Sequence, residues 1–489
     1  MSSSPQASPG ATTAEPKRSN NYFDGLAVTG MHKAIFFIIM LAYFFEQMDN
    51  WNFGFIAPAI FASWGLSPAE STQAMSKILF WYFIGMTSGG FLGGVISDFI
   101  GRRKTFLIAI VLFSVCSVIN GLPIDSLPLF IAARSLTGFG VFCLMVCSQA
   151  YIAEMAPAES RGKWQGLVAA VGFCAVPFIA FLCRLIVPLS SDAWRWIFYF
   201  GGIGIVALFI SYKYLLESPR WLVSRGRIEE AEAVVRHITG QNIDLSEAAQ
   251  RVAPRINAME VLTGMFTSKY IGRTLLLLLL FVCVTPAGFT FTSWTGKLLA
   301  TIPVIDPATG LAMVNEAGKQ VMLYDQAAML TIMTIISCGV PAGCYLASLI
   351  SDKGGRKLPM VLMYALAAVM ALLFAQFSTH FAIVALCGFL LSVFNLAGGF
   401  IMFSYTAESY PTHMRNTATG AHNGIARLSV SGFQPVIPLI LAGFGGTVGL
   451  VNYDIPAIFT TCAILFLLPL PFVLLFGHRT GGKSLEDIS

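Results

Sequence analysis

Residues 44 to 58 read FFEQMDNWNFGFIAP, so two carboxylates, Glu46 and Asp49, and two asparagines, Asn50 and Asn52, stand in a run of aromatic and aliphatic side chains. Three arginines, Arg134, Arg184 and Arg427, sit in equally apolar runs. An ionisable group at membrane depth costs at least ~2.5 kcal/mol on insertion scales, so it needs a partner or a water-filled cavity. A carboxylate that meets a guanidinium in one arrangement and loses it in another releases and recaptures a proton. A second guanidinium can grip the carboxylate of a small molecule through two parallel hydrogen bonds. Proton exchange and anion binding are the chemistries these residue types offer. The six histidines (32, 237, 380, 413, 422 and 478) are scattered and form no cluster with nucleophiles or acids. An enzyme is therefore disfavoured, and neither metal nor cofactor is expected.

The elements that must hold these residues follow from composition. The chain has 489 residues, 56% hydrophobic and 11% charged, with 40 phenylalanines and a mean hydropathy of +0.73, which is the signature of an integral membrane protein. Twelve runs approach the length of about 20 residues that crosses ~30 Å of hydrocarbon: 34–61, 77–97, 105–122, 127–153, 164–188, 194–216, 273–299, 324–350, 358–378, 381–407, 417–443 and 453–477. With both termini in the cytoplasm, 23 of the 30 Lys and Arg lie on that side, four (Lys77, Arg195, Lys297, Lys319) on the other and three within the membrane. That asymmetry orients the chain, and the net charge of +5 is its by-product, with no nucleic-acid partner implied. The first twenty residues, rich in Ser, Pro and Ala, read as a disordered tail and not as a cleavable signal. All ten cysteines fall inside spans, where a thiol behaves as a small hydrophobe.

Depth can be counted along these spans. Asp49 lies 16 residues beyond Lys33, about 24 Å along a helix and past the midplane. Arg134 enters about seven residues from the opposite side, roughly 10 Å deep, so the two can meet within one half. A static ion pair that fixes helix register is the plain alternative. Glu46, one turn earlier on the same face, reads equally as a structural hydrogen-bonding group or a second proton site. Asn50 and Asn52 read as helix-to-helix hydrogen-bonding residues. Arg427 lies ten residues into its span, about 15 Å deep, as a substrate anchor or as the partner of a backbone carbonyl. Arg184, near the outer end of its span, reads as snorkelling to the interface. Trp81, Tyr82, Trp294, Phe403 and Tyr405 could line a cavity around a ring, although the commoner role for each alone is to face lipid or pack, and Asn395 and Gln434 are the better polar candidates.

An internal repeat divides the chain. GGVISDFIGRRK follows the second run and ASLISDKGGRK the eighth, so Asp98, Gly101 and Arg102 return as Asp352, Gly355 and Arg356, each displaced by 254. YIAEMAPAESRG and SYTAESYPTHMRN carry Glu154 and Arg161 to Glu408 and Arg415 at the same offset. Two six-helix halves in the same orientation follow, a mark of secondary transporters. The expected organisation is a tail (1–30), a bundle (31–216), a cytoplasmic linker with amphipathic helices (217–272), a second bundle (273–477) and a short tail (478–489). Glycine in the second run would permit close helix contact, and Asp98 could meet a helix N-terminus or an arginine.

These motifs resemble the major facilitator superfamily over residues 34 to 477. Gly94-x-x-x-Asp98-x-x-Gly101-Arg102-Arg103 matches that superfamily's loop signature, although the second copy has Ser348 in place of the glycine. ESPRWLVSRGR (217–227) is similar to the end of span six in its sugar-porter-like and organic-ion branches. Glu46-x-x-Asp49 followed by GFIAP resembles the corresponding stretch of aromatic acid:proton symporters, with Glu46 for the first aspartate and Gln47 for its glycine. The sugar branch's glutamine pair on span seven and its G-P-x-x-W on span ten are missing.

The resemblance implies an all-α membrane fold of twelve transmembrane helices in two pseudo-symmetric six-helix bundles. It implies conformational gating by Gly94, Asp98, Gly101, Arg102, Glu154, Arg161, Asp352, Gly355, Arg356, Glu408 and Arg415, and proton coupling by Asp49, Arg134 and Glu46. The expected activity is proton-coupled symport of a small organic acid, an aromatic one favoured, by a monomer in the cell membrane. The alternatives are an exchanger or uniporter of another organic ion or a polyol or sugar-like solute and, more remotely, a transporter-like nutrient sensor.

Overall fold

The computed structural model describes residues 23, 28–246, 258–306, 308–309, 312–316, 320–351, 355–444 and 455–478. Among these, twelve helices are long and apolar enough to cross a membrane. We number them spans 1 to 12: Gly30–Ser63, Pro68–Ile100, Arg102–Gly121, Leu127–Met155, Ser160–Leu189, Trp194–Tyr214, Ile271–Leu299, Gln326–Ile350, Lys357–Gln376, Phe381–Glu408, Thr417–Ala442 and Pro456–Phe476.

Span 2 begins nine residues before hydropathy places it. Ser67 caps the Glu70 N–H, the Glu70 carboxylate returns to the Ser67 N–H at 2.9 Å, and Pro68 occupies the first helical position. Lys77, expected at the outer start of its run, is therefore an exposed residue well inside the helix. The signal S-P-A-E was present in the sequence but is polar, so hydropathy passes over it. Gly101, at φ +104°, ends span 2 and opens span 3, a conformation that favours glycine.

Spans 1 to 6 form one bundle and spans 7 to 12 the other. Span 4 packs on spans 2 and 3 and span 1 on span 5; correspondingly, span 10 packs on spans 8 and 9 and span 7 on span 11. The repeat extends into this packing. A Cβ at Gly85 or Gly89 would fall on the span 4 backbone at Ser135 or Phe139, and one at Gly339 or Gly343 on the span 10 backbone at Phe389 or Val393. Those pairs are again 254 apart, and small residues let backbones approach where lipid supplies no hydrophobic drive. Gly94, expected to serve this contact, has only Val146 nearby, at 4.0 Å. The close approach comes from its neighbour Gly93, where a Cβ would stand 3.0 Å from the Cys143 Cα, and from Gly85 and Gly89 further along the helix.

The halves meet through spans 1 and 7, 2 and 11, and 5 and 8. Among the described residues, hydrogen bonds tie them towards the end opposite the Arg102 and Arg356 loops: Ser76 Oγ to the Gln434 carbonyl (2.9 Å), Ser431 Oγ to the Phe80 carbonyl (2.9 Å), Lys297 Nζ to Ser71 Oγ (2.6 Å) and Arg184 Nε to Thr331 Oγ1 (2.8 Å). Arg184 therefore does not snorkel but bonds across to span 8. At the end with the arginine loops, Gly399, Gly420 and Gly424 face open space.

Between the bundles, Pro219–Ser224, Ile228–Thr239 and Ala258–Met265 are short helices; the second buries Ala231, Val235 and Ile238 along one stripe. The segment joining spans 7 and 8 carries antiparallel pairings at Pro303 with Met322, Ile305 with Ala312 and Val314 with Gln320. Large apolar side chains such as Phe91, Phe209 and Leu475 cover the perimeter, as a lipid-facing surface requires.

Candidate functional site

The two charges whose depths were counted along the sequence meet. Arg134 Nη1 lies 3.3 Å from Asp49 Oδ2, with both side chains at most 1% exposed. Span 3 and span 6, which sequence reasoning did not connect to Asp49, complete its surroundings. Ser117 Oγ donates to Asp49 Oδ1 at 2.5 Å and Asn52 Nδ2 at 3.0 Å. Gly201 of span 6 makes the room: a Cβ there would collide with Ser117 Oγ and stand 2.8 Å from Asp49 Oδ1. Arg134 is roofed by aromatic faces, with Tyr82 at 4.7 Å, Phe53 at 5.6 Å and Phe198 at 5.7 Å from its guanidinium carbon, contacts that favour a desolvated cation. Asn52 thus serves within its own helix and not as a bridge between helices.

Glu46 is also buried, but the group bonded to it is neutral: Gln47 Nε2 donates to it at 3.2 Å, and Trp51 Nε1 in turn donates to Gln47 Oε1 at 3.0 Å. Tyr82 donates its hydroxyl to Asn50 Oδ1 at 2.6 Å, tying span 2 to span 1. Asn50, Tyr82 and Arg134 then line a pocket closed on the other side by Phe289, Thr292 and Ser293 of span 7. One wall belongs to each half, so the width of the pocket depends on how the halves sit together.

Arg427 of span 11 approaches the same region. Its guanidinium lies between the rings of Phe142 (5.0 Å) and Phe289 (4.8 Å), its Nε is buried without a hydrogen-bond partner, and among the described residues no carboxylate forms an ion pair with it. Asn395, on span 10, lies against Gly288 of span 7. Phe403 packs on Phe281. Trp294 and Gln434 are consumed by each other, the indole donating to Gln434 Oε1 at 2.9 Å. Tyr405 accepts from the His478 N–H at 3.0 Å, at the end of span 12 and away from the charges. Trp81 is 49% exposed and bonds to Ser135 only through its carbonyl; one helical step of 100° from Tyr82 turns it off the cluster.

At the arginine loops, Arg102 bonds Glu154 (3.0 Å) and Asp98 (2.6 Å). Asp98 therefore meets an arginine, while the N-terminus of span 3 is taken by Glu217, which accepts from the N–H groups of Arg102, Arg103 and Ser218 at 2.8, 3.1 and 3.0 Å. Burial pushes the Glu217 carboxyl above the usual range, against the pull of these donors. In the second half Arg356 pairs with Glu408 at 2.5 Å, beside Gly355 at φ +77°. Arg161 and Arg415 each bury an Nε without a hydrogen-bond partner. Asp352 lies outside the described residues.

Two pseudo-symmetric helix bundles, one holding a buried ion pair and the other reaching across with Arg427, define a secondary-transporter architecture, in which the solute site lies near the midplane at the interface of the repeats. The chain belongs to the Major Facilitator Superfamily, whose family model matches residues 39–435. It is 27% identical to the inner membrane metabolite transport protein YdjE of Escherichia coli K12, over 95% of this chain and 97% of that one. It is 23% identical to the niacin transporter NiaP of Acinetobacter baylyi, over 95% and 98%. Its fold matches the xylose transporter XylE of Escherichia coli in a partially occluded inward-open conformation, with a TM-score of 0.71 and 19% identity, covering 93% of this chain and all of that one. It is a multi-pass membrane protein that transports a small metabolite.

Proposed function

We propose that the chain is a proton symporter that imports a small organic acid, an aromatic carboxylate in particular, with both termini and the arginine loops in the cytoplasm. The observation that carries this reading is Arg427, a guanidinium in the membrane interior with an unpartnered Nε and no ion pair among the described residues. A buried cation without a counter-charge is costly, and an anionic substrate between the halves would compensate it. The pair of aromatic rings that flank Arg427 would face a ring substrate. The relatives include a niacin transporter, and niacin is an aromatic carboxylic acid, which supports the same class.

In this reading Asp49 is the proton carrier and Arg134 its movable counter-ion, with Glu46 as a second acid on the same helix. Separation of Arg134 from Asp49 leaves a bare carboxylate that takes up a proton; their approach expels it. Substrate binding then biases which arrangement is populated. The Arg102–Glu154 and Arg356–Glu408 pairs, with Asp98, Arg161 and Arg415, would act as latches at the cytoplasmic face that break as the halves rock. The test is uptake of benzoate and nicotinate into proteoliposomes under an imposed pH gradient. Accumulation is expected in the wild type, and loss of accumulation with retained exchange in Asp49→Asn. Gradient-driven accumulation by Asp49→Asn at the wild-type level would overturn the coupling assignment, and uptake of sugars or amines but no acid would overturn the substrate class.

A further inference from the structure

The pocket between Asn50 and span 7 has a polarity that the transport reading does not use. The Tyr82 hydroxyl donates to Asn50 Oδ1 at 2.6 Å, which fixes the amide and leaves its Nδ2, without a hydrogen bond among the described residues, as the donor this pocket-lining residue still has to offer. Across the pocket Ser293 makes no side-chain hydrogen bond among the described residues, whereas its neighbour Thr292 is engaged with the Phe289 carbonyl at 3.1 Å. Phe83 and Phe289 meet edge to face at 5.1 Å and form the apolar wall. The space enclosed is about 20 Å3, the size of a single water, so it admits the edge of a ring only when span 7 shifts relative to span 1.

We propose that Asn50 and Ser293 form a specificity subsite for a hydrogen-bond acceptor on the ring of the transported acid, a heteroatom such as a pyridine nitrogen at a distance from the carboxylate. The inference rests on the aromatic-acid reading above and deepens it. Arg427, which stacks on the same Phe289 ring, takes the carboxylate, and the Asn50 amide takes the acceptor, so the ligand spans the two halves. A site built around a donor rejects an analogue without the acceptor, because the donor is then buried unpaired. Tyr82 is a positioning residue here: it touches Asn50 and sets which amide atom faces the ligand.

The experiment is equilibrium binding of nicotinate and benzoate to the purified full-length protein at neutral pH, two planar acids that differ in the ring acceptor. Wild type is expected to bind nicotinate about tenfold more tightly, the scale of one neutral hydrogen bond between well-aligned groups. In Asn50→Leu the ratio of the two affinities collapses towards one, and Tyr82→Phe, which removes a single oxygen and keeps the ring, reduces the same ratio. Ser293→Ala lowers nicotinate affinity more than benzoate affinity. Equal binding of the two acids to wild type overturns the subsite, as does a ratio that survives both Asn50→Leu and Tyr82→Phe. If wild type binds neither acid but binds a sugar or an amine, the aromatic-acid reading falls and this inference with it.

Discussion

Removing one charge from the Asp49–Arg134 pair should cost at least as much stability on the acid side as on the arginine side. Asp49→Asn leaves a guanidinium that is 1% exposed and cannot shed its proton. Breaking a buried pair from one side costs about 3–5 kcal/mol. The three rings around Arg134 persist in the variant, each worth up to ~2 kcal/mol to a desolvated cation, so the lower end, about 3 kcal/mol, is expected. Arg134→Gln instead leaves a carboxylate that keeps the Ser117 and Asn52 donors and can discharge by taking up a proton. Its cost should approach that of one hydrogen bond to a charged group, about 1.5–3 kcal/mol. The double variant carries no bare charge and should be no less stable than Asp49→Asn alone, a strongly non-additive cycle. Unfolding in mixed micelles, titrated with dodecyl sulfate, measures all four species. A cost below about 1 kcal/mol for Asp49→Asn, or single costs that simply sum to that of the double variant, would refute the argument that this pair is a desolvated, mutually dependent unit.

Gly201→Ala tests the packing that seats Asp49: the added methyl meets Ser117 Oγ and Asp49 Oδ1, so the carboxylate must move. We expect ~1–3 kcal/mol of overpacking and loss of gradient-driven accumulation with exchange retained in proteoliposomes; coupling equal to the wild type would show that the seat does not matter. Lys297→Met removes the Nζ to Ser71 bond that joins span 7 to span 2. If that tie exists only in the arrangement seen here, its loss of about 1.5–3 kcal/mol shifts the conformational equilibrium roughly 10- to 150-fold. Spin labels at Gln73→Cys and Gln326→Cys, exposed positions on opposite halves, should report a longer distance population, and an unaltered distribution would exclude the latch.

What the sequence determined by itself is whatever is written along the chain. Hydropathy marks the twelve spans because crossing ~30 Å of hydrocarbon needs a continuous apolar run, and the offset of 254 marks the two halves because a repeated fold must repeat its spacing. The depths of Asp49 and Arg134 followed from a fixed rise per residue, which is why their meeting could be anticipated. Even the early start of span 2 was written locally, in S-P-A-E. The tertiary structure decided everything that depends on rotation about helix axes and on which helices are neighbours. In a span that is apolar nearly all round, such as span 4, residue type does not reveal which face turns inward, and each residue turns the helix by 100°. Hence Tyr82 faces Arg134 while Trp81 faces outward, Gln434 goes to Trp294, and Lys297, counted with the outer loop charges, is buried against Ser71. Ser117 and Gly201 stand 68 and 152 residues from Asp49, and only the packing of spans 3 and 6 against span 1 makes them its nearest company.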